Sequence, residues 1–481
     1  MKKITSLFCL MFLAIALNGC TLLGTEIDFS LENKTVITFW ADDEEWADAL
    51  IDAFEEQNPD IIVKFNKVGS VDVRQKMELA GPAGLGADVF VMPHDHIGAA
   101  LEKGLLLPVG GKYKENIQNR IIESAVNTVS VCYDIAGLEQ EACNAEESNK
   151  YTFAFPISGE SLAVFYNKDL LLEHTGSEVP AATFEEIFEK AATYNDYDTV
   201  DEDGNPKLWF GADVGNAYDM HWLSTAHGFK LFGDNHLDPT QPNFNSPEMI
   251  AALTKAREIR TNYLNKDSGT LNGDWVKGLF EAGKLAYTID GPWSISRYKD
   301  SDINFGVMKF PTLNVNGKDE QPYTFSGVQV AAVYRGAPAE RQKAALKFAE
   351  FMISDEGMSI MYEETGKLPT LKNTENIKYV IKDENGDPVL KDGKEQIVSL
   401  DDDPYLTGVV DQLEFSEPMP IITQMGFFWT VAGPMYSDAW NGTTEEDGKV
   451  LDYTNKSADE LARKVAELTL KGYNDLLNLS E

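Results

Sequence analysis

Two strand-like runs with a helical stretch between them constrain this chain most. Thr35-Val36-Ile37-Thr38-Phe39-Trp40 and Ile61-Ile62-Val63-Lys64-Phe65 are rich in β-branched and aromatic residues. Between them Trp46, Leu50, Ile51 and Phe54 recur at helical spacing, and Asn58-Pro59 ends the repeat. A strand, a helix and a strand in that order favour a parallel pair with a crossover, and parallel sheets need helices over their faces. The pattern continues. Val71 to Ala80 reads as a helix broken by Gly81-Pro82, Asp88-Val89-Phe90-Val91-Met92 as a buried strand, and Ile97 to Lys103 as a helix ended by Gly104. Later helices are expected over 339–353, with Ala345, Leu346, Ala349 and Met352 on one face, and over about 458–470, with Ser457 as N-cap. The fold class is α/β.

The 481 residues suffice for two or three domains. The first of them are a targeting segment. Lys2 and Lys3 precede an apolar stretch, Ile4 to Leu17, which is too short for a membrane span. Leu17-Asn18-Gly19-Cys20 then reads as a lipobox, with 1–19 as signal peptide, Cys20 as the lipidated residue and 20–34 as a tether. Ala14-Ile15-Ala16 offers an ordinary secretory cleavage site as the alternative. Cys9 leaves with the signal in either case. Cys132 and Cys143 remain, and outside the cytoplasm such a pair is expected to close a disulfide, two free thiols being the other reading. The formal charge of −37 repels nucleic acid and anionic lipid and leaves a neutral ligand unaffected.

Enzymatic signatures are missing. The sequence contains no G-x-S-x-G, no G-x-x-x-x-G-K-[ST] and no H-E-x-x-H. The stretch 81–86 is glycine-rich without a lysine and reads as a turn. His94-Asp95-His96 offers two imidazoles but no assignable third ligand, so neither a metal nor a cofactor is expected. Asp196, Asp198, Asp201 and Asp203 lack EF-hand spacing, and 196–206 reads as a solvated loop; Asn385-Gly386 marks a hairpin between Val380-Ile381 and Val389-Leu390. More informative are aromatic and polar residues at segment ends: Trp40 before Asp42-Asp43-Glu44-Glu45, Gly291-Pro292-Trp293 after Leu285 to Ile289, and Phe427-Phe428-Trp429 after Pro418-Met419-Pro420. Ligands of open α/β folds bind at strand ends, and a sugar needs flat aromatic faces together with carboxylates or amides for its hydroxyls.

These segments carry a resemblance. They include Ile37-Thr38-Phe39-Trp40, Ala87-Asp88-Val89-Phe90, Pro93-His94-Asp95 and Gly104-Leu105-Leu106. Pro156-Ile157-Ser158-Gly159-Glu160-Ser161-Leu162 leads to Tyr166-Asn167-Lys168-Asp169-Leu170, and Thr183-Phe184-Glu185-Glu186 opens a helix. Glu281-Ala282-Gly283-Lys284, Ile289-Asp290-Gly291-Pro292-Trp293 and the Pro418 to Trp429 stretch complete the set. From about Thr35 to the C-terminus the chain resembles the maltose/maltodextrin-binding proteins of bacterial ABC transporters.

The resemblance implies two α/β lobes with hinge crossovers and a ligand cleft between them, a periplasmic-binding-protein-like fold. Lobe one is expected over 35–157 plus 327–370 and lobe two over 162–324 plus 371–479, with hinges near 158–161, 325–326 and 369–371. Trp293 and Trp429 are expected to stack on glucose rings, Asp95 and Glu160 to accept from hydroxyls, and Tyr218 to add a wall. Glu44 supplies a first-lobe carboxylate, and His96 stands beside Asp95 in place of an arginine. Further departures are Met92 for a stacking tryptophan, Asn216 for a glutamate and Gly433 for an arginine. The implied function is extracytoplasmic: a monomer, lipid-anchored to the cell membrane, that closes on a malto-oligosaccharide and delivers it to ABC permease subunits, with no enzymatic step. A secreted glycoside hydrolase, a glycan-binding adhesin and a receptor for another oligosaccharide are the rivals.

Overall fold

The computed structural model describes residues 34–132, 150–200, 202, 204–264, 273–381 and 387–480. Two sheets organise them. The first holds seven strands in the order Leu368–Pro369, Ala154–Ser161, Thr324–Val333, Val89–Pro93, Thr35–Ala41 and Ile61–Lys67, with Ser416–Pro418 added beside Thr324–Val333. The second holds five: Phe305–Met308, Ala163–Asn167, Leu285–Asp290, Pro206–Gly211 and Asp196–Val200.

The expected β-α-β start is present. Thr35–Ala41 runs parallel to Ile61–Lys67, with Phe39 opposite Phe65. The helix between them spans Glu44–Gln57. Asp43 caps it by accepting from the Trp46 amide at 2.9 Å, and Trp46, Leu50 and Phe54 are buried on the sheet. At its end the Asn58 side-chain Nδ2 donates to the Phe54 carbonyl at 2.8 Å, and Pro59 cannot continue the helix. Thr183 and Glu186 form a reciprocal capping box on helix Phe184–Tyr194, the physical content of the Thr-Phe-Glu-Glu motif.

The chain passes between the sheets within very few residues. Only Leu162 separates Ala154–Ser161 in the first sheet from Ala163–Asn167 in the second. The return is made by Thr324–Val333, antiparallel to Ala154–Ser161 with Ser326 opposite Ser161 and Gly327 opposite Glu160. Ser161 Oγ lies 2.7 Å from Thr324 Oγ1 and donates to the Phe325 carbonyl at 3.1 Å. Leu368–Pro369 joins the other edge at Gly159 and Ser158, and Ser416–Pro418 runs parallel to Thr324–Ser326.

Several local expectations need correction. The stretch 196–206 is not all loop: Asp196–Val200 is an edge strand antiparallel to Pro206–Gly211, with a register irregularity between Asp196 and Val200. Its alternation was masked by its acidic composition. Asn385-Gly386 lies outside the described residues, but the segments flanking it meet as expected, the Val389 amide donating to the Ile381 carbonyl at 2.8 Å. Lys378–Val380 pairs with Ile397–Ser399, whereas Leu390–Lys391 pairs with Lys394–Glu395 across Asp392-Gly393. Asp392 and Gly393 have φ of 54° and 74°, as do Asn316-Gly317 and Asp447-Gly448 at the turns of two further hairpins, with 56° and 85°, and 50° and 77°. The last helix, Ala458–Ser480, is longer than expected. Cys132 is disulfide-bonded, while Cys143 and Cys20 lie outside the described residues. Among the described residues no helix is long and apolar enough to cross a membrane, and no group of three or more His, Cys, Asp or Glu is placed to hold a metal.

One close approach fixes the segment that leads to Trp429. A Cβ on Gly98 would lie 2.3 Å from the Ile421 carbonyl oxygen, which is backbone and cannot rotate away. Gly98→Ala is therefore expected to destabilise the protein by about 1–3 kcal/mol through overpacking. Thermal melting of the ligand-free variant measures this. An unchanged melting temperature would show that helix Ile97–Glu102 and the 419–423 segment separate freely.

Candidate functional site

Three aromatic rings meet beside the crossover strands. Tyr218 sits in the first turn of helix Ala217–Ala226, whose cap is Asn216: its side-chain oxygen accepts from the Tyr218 amide at 3.0 Å. Asn216 thus positions the aromatic residue after it. Trp293 follows the strand Leu285–Asp290, and its ring covers Gly291, where a Cβ would come within 2.3 Å of it. Trp429 lies in the first turns of helix Met425–Asn441. The Tyr218 ring centroid is 6.3 Å from Trp293 and 6.5 Å from Trp429, and all three rings are half-buried.

Polar groups of the first sheet face these rings. Trp429 Nε1 donates to Asp95 Oδ2 at 2.8 Å. Asp95 is 6% exposed, and its Oδ1 is buried with no hydrogen-bond partner among the described residues. Glu160 is 7% exposed and accepts from Gln329 Nε2 at 3.1 Å, while Gln329 Oε1 is buried with no hydrogen-bond partner among the described residues. Glu160 has room because residue 327, opposite it, is glycine: a Cβ there would lie 2.7 Å from the Glu160 carboxylate. Lys367 Nζ lies 3.7 Å from Asp42. A cleft of about 610 Å³ opens beside Trp293, lined among others by Asp42, Glu45, Arg297 and Lys367. Tyr218, Trp429, Asp95 and Glu160 do not line that cleft; beside it Tyr218 packs against Trp429 and Trp429 bonds to Asp95.

His94 holds the turn that carries Asp95. The Val328 amide donates to His94 Nδ1 at 3.1 Å, so the ring proton sits on Nε2 and is donated to the Met419 carbonyl at 3.1 Å. Burial lowers the His94 pKa, which keeps this ring neutral. His96 is also lowered, by burial first and Arg74 as a smaller cause, against the Asp95 charge; its Nδ1 is buried with no hydrogen-bond partner among the described residues.

A family profile described as bacterial extracellular solute-binding protein matches residues 49–386. The chain belongs to this family. Among its relatives, the maltodextrin-binding protein MdxE of Bacillus subtilis is 25% identical over 478 residues, covering 96% of this chain and 99% of that protein. The maltooligosaccharide ABC transporter solute-binding lipoprotein of Streptococcus pneumoniae R6 is 27% identical over 393 residues, covering 82% and 80%. Two solved structures share the two-lobed fold. A cyclo/maltodextrin-binding protein complexed with maltotetraose is 25% identical, with a TM-score of 0.63 over 91% of this chain and 97% of that one. The maltotriose-binding protein of Thermus thermophilus is 22% identical, with a TM-score of 0.69 over 92% and 100%.

For a solute-binding protein the expected residues fall as follows. Asp95, Glu160, Tyr218, Trp293 and Trp429 are brought together, with His96 adjoining Asp95. Glu44 is exposed in the first turn of its helix and does not line the cleft, which takes Asp42, Asp43 and Glu45 instead. Trp40 is a core residue, 8% exposed. Met92 is fully buried opposite Val330, so no ring enters the site from that position. At Gly433 a Cβ would lie 2.7 Å from the Gly215 carbonyl, and an arginine cannot fit against that backbone. Sequence reasoning missed Gln329 and Lys367. Gln329 was detectable as the amide in an otherwise apolar run; Lys367 carried no signal.

Burial pushes the Glu160 carboxyl up to about 7; Lys367 and the Gln329 hydrogen bond oppose it, and Asp42 and Asp95 add to it. A raised acid favours the folded state when protonated. Its contribution is complete below about 4.5 and is lost as pH rises through about 7. Glu160→Gln without ligand should therefore match wild type in stability at pH 4.5 and exceed it at pH 8.5 by about 1–3 kcal/mol. Chemical denaturation at the two pH values tests this, and equal stability at both would mean that the carboxylate is solvated.

Proposed function

We propose that this chain is the extracytoplasmic receptor of an ABC importer, which binds a malto-oligosaccharide between its lobes and presents it to the permease without breaking a bond. The observation that carries the reading is the pairing of three half-buried rings with buried acceptor oxygens on Asp95 and Gln329 and with the Glu160 carboxylate. Acceptors without donors suit a ligand rich in hydroxyl groups, and flat rings suit the CH faces of a pyranose. An anionic ligand would instead need a surplus of donors, and Lys367 is already engaged by Asp42. Relatives named for maltodextrin and maltooligosaccharide binding support the sugar class.

In this reading the lobes are 35–157 plus 327–370 and 162–324 plus 371–479, rotating about the crossover strands. Ligand contacts to both lobes form together only in the closed state, so sugar shifts the population toward it. Trp293 and Trp429 stack on the ligand; Asp95, Glu160 and His96 orient it, with Tyr218 as wall and Glu44 at the rim. Cys143 partners Cys132, and the chain acts as a monomer. Cys20 carries the lipid that holds the protein at the outer face of the cell membrane, after removal of residues 1–19. The relative called a lipoprotein supports the anchor. Mass spectrometry of the mature N-terminus is expected to find a diacylated Cys20; an unmodified Cys20 with residues preceding it excludes the anchor.

Trp293→Ala and Trp429→Ala are each expected to weaken maltotriose binding about tenfold or more, since a lost stacking face is worth on the order of 1–3 kcal/mol. Titration calorimetry measures the affinity, ligand-free melting checks the fold, and chromatography of the incubated sugar checks for cleavage. Undiminished affinity in both variants removes the stacking role, and release of shorter sugars turns the reading toward a hydrolase.

A further inference from the structure

Behind the aromatic rings lies Phe325, in the strand Thr324–Val333 where that strand leaves the first sheet. Its ring centroid is 6.1 Å from Tyr218, nearly parallel to it, and 5.8 Å from Trp429, edge-on. Its carbonyl accepts from Tyr218 Oη at 3.4 Å and from Ser161 Oγ at 3.1 Å. Phe325 therefore backs two of the three rings of the site and belongs to one of the strands by which the chain changes sheets.

A second ring lies flat on Phe325. His221, one turn after Tyr218 on the same helix, stacks at 3.6 Å with its plane inclined by 6°. His221 is fully buried, and its Nε2 lies 2.6 Å from Glu417 Oε1. Its Nδ1 is buried with no partner among the described residues. An imidazole in such a place carries a desolvation cost that a phenyl ring of similar shape avoids, so what it adds here is the bond to Glu417. Glu417 is the strand partner of Phe325 in the parallel pair of Ser416–Pro418 with Thr324–Ser326. The imidazole thus grips one strand by ring stacking and the neighbouring strand by hydrogen bond. Glu417 is held ionised: burial opposes its charge, but the hydrogen bond and charge of His221, then His236 and Lys230, bring its pKa below the ordinary value. His236 Nε2 stands 3.8 Å from its second oxygen, and His236 Nδ1 is taken by the Leu231 carbonyl at 2.9 Å.

We propose that His221 and Glu417 are positioning residues of the ligand site. They hold Phe325, and through it Tyr218 and Trp429, in the arrangement that receives sugar, and they fasten helix Ala217–Ala226 to the crossover strands. The inference rests on the sugar reading above for its ligand and on the ring and strand geometry for its mechanism. Breaking the pair alters no ligand-contacting residue but releases the rings from the strands that set their spacing.

Three variants of the mature chain separate the possibilities. His221→Phe keeps a flat ring and removes the hydrogen bond; Glu417→Ala removes the acceptor; Glu417→Gln keeps an oxygen for the imidazole N–H and removes the charge. Maltotriose affinity is measured by calorimetry well below each melting temperature, and the ligand-free radius of gyration by small-angle scattering. His221→Phe and Glu417→Ala are expected to bind about tenfold more weakly, with Glu417→Gln restored to within about threefold of wild type. The first two are also expected to show a larger ligand-free radius than wild type. Lower melting temperatures with unchanged affinity and radius would make the pair a purely structural contact and overturn the proposal. A Glu417→Gln protein as weak as Glu417→Ala would overturn it too, because the hydrogen-bond geometry would then not be what positions Phe325. Should wild type bind no malto-oligosaccharide, the sugar reading fails by itself. The scattering arm then decides for the clamp: expansion in His221→Phe sustains it, and an unchanged radius removes it.

Discussion

The backbone pairing of Thr324–Val333 is the constraint on which the rest of this molecule depends. The strand is antiparallel to Val89–Pro93 and to Ala154–Ser161, and its first residues also run parallel to Ser416–Pro418. Each residue of it that matters to the site is placed by that register. The Val328 amide fixes the His94 tautomer, Gly327 leaves space for Glu160, Gln329 reaches the Glu160 carboxylate, and the Ser326 carbonyl accepts from Met419 at 3.2 Å. A slip of one residue would turn Gln329 away and put Val328 or Val330 against Glu160. The polar side of the cleft is therefore a consequence of sheet register rather than of loop conformation.

That polar side has a definite chemical character. Asp95, Gln329 and Glu160 present acceptors, and two of the donors nearby are already used, the Trp429 indole on Asp95 and the Gln329 amide on Glu160, while Lys367 stands 3.7 Å from Asp42. Burial keeps Glu160 close to neutrality in its protonation balance, so this carboxyl can act as acceptor or, when protonated, as donor. The net charge of −37 spread over the whole chain has little bearing on that chemistry, because screening over about 8–10 Å isolates a local set of hydrogen bonds from distant surface carboxylates.

Much of this was legible in the sequence, for identifiable reasons. The first β-α-β unit was readable because Asn58-Pro59 stops the helix and Trp46, Leu50 and Phe54 keep a 3.6-residue period. The aromatic residues of the site were readable because Trp293 and Trp429 interrupt no core pattern and sit where elements end. What escaped has physical causes. Strand Asp196–Val200 hides behind carboxylates, since an edge strand needs no apolar face. Asp392-Gly393 and Asp447-Gly448 were available hairpin signals that went unused. Glu44 and Glu45 are adjacent and differ only in helical phase, and Asp42, Asp43 and Glu45 line the cleft while Glu44 does not. His221 and Glu417 are 196 positions apart, and no local pattern announces that a ring and a carboxylate will meet across two strands.

The single residue between Ala154–Ser161 and Ala163–Asn167 has a consequence for the order in which the molecule can be assembled. The strand that lies between Val89–Pro93 and Ala154–Ser161 is Thr324–Val333, so during vectorial synthesis the first sheet waits, incomplete, until all five strands of the second have emerged. Until then both neighbours of that gap carry unpaired backbone edges, the feature by which half-made sheets find wrong partners. Non-local pairing of this kind also slows folding. A nascent chain with this topology gains from staying unfolded until its full length is available, a requirement set by where two strands adjoin and met by any route that delivers the chain whole before it collapses.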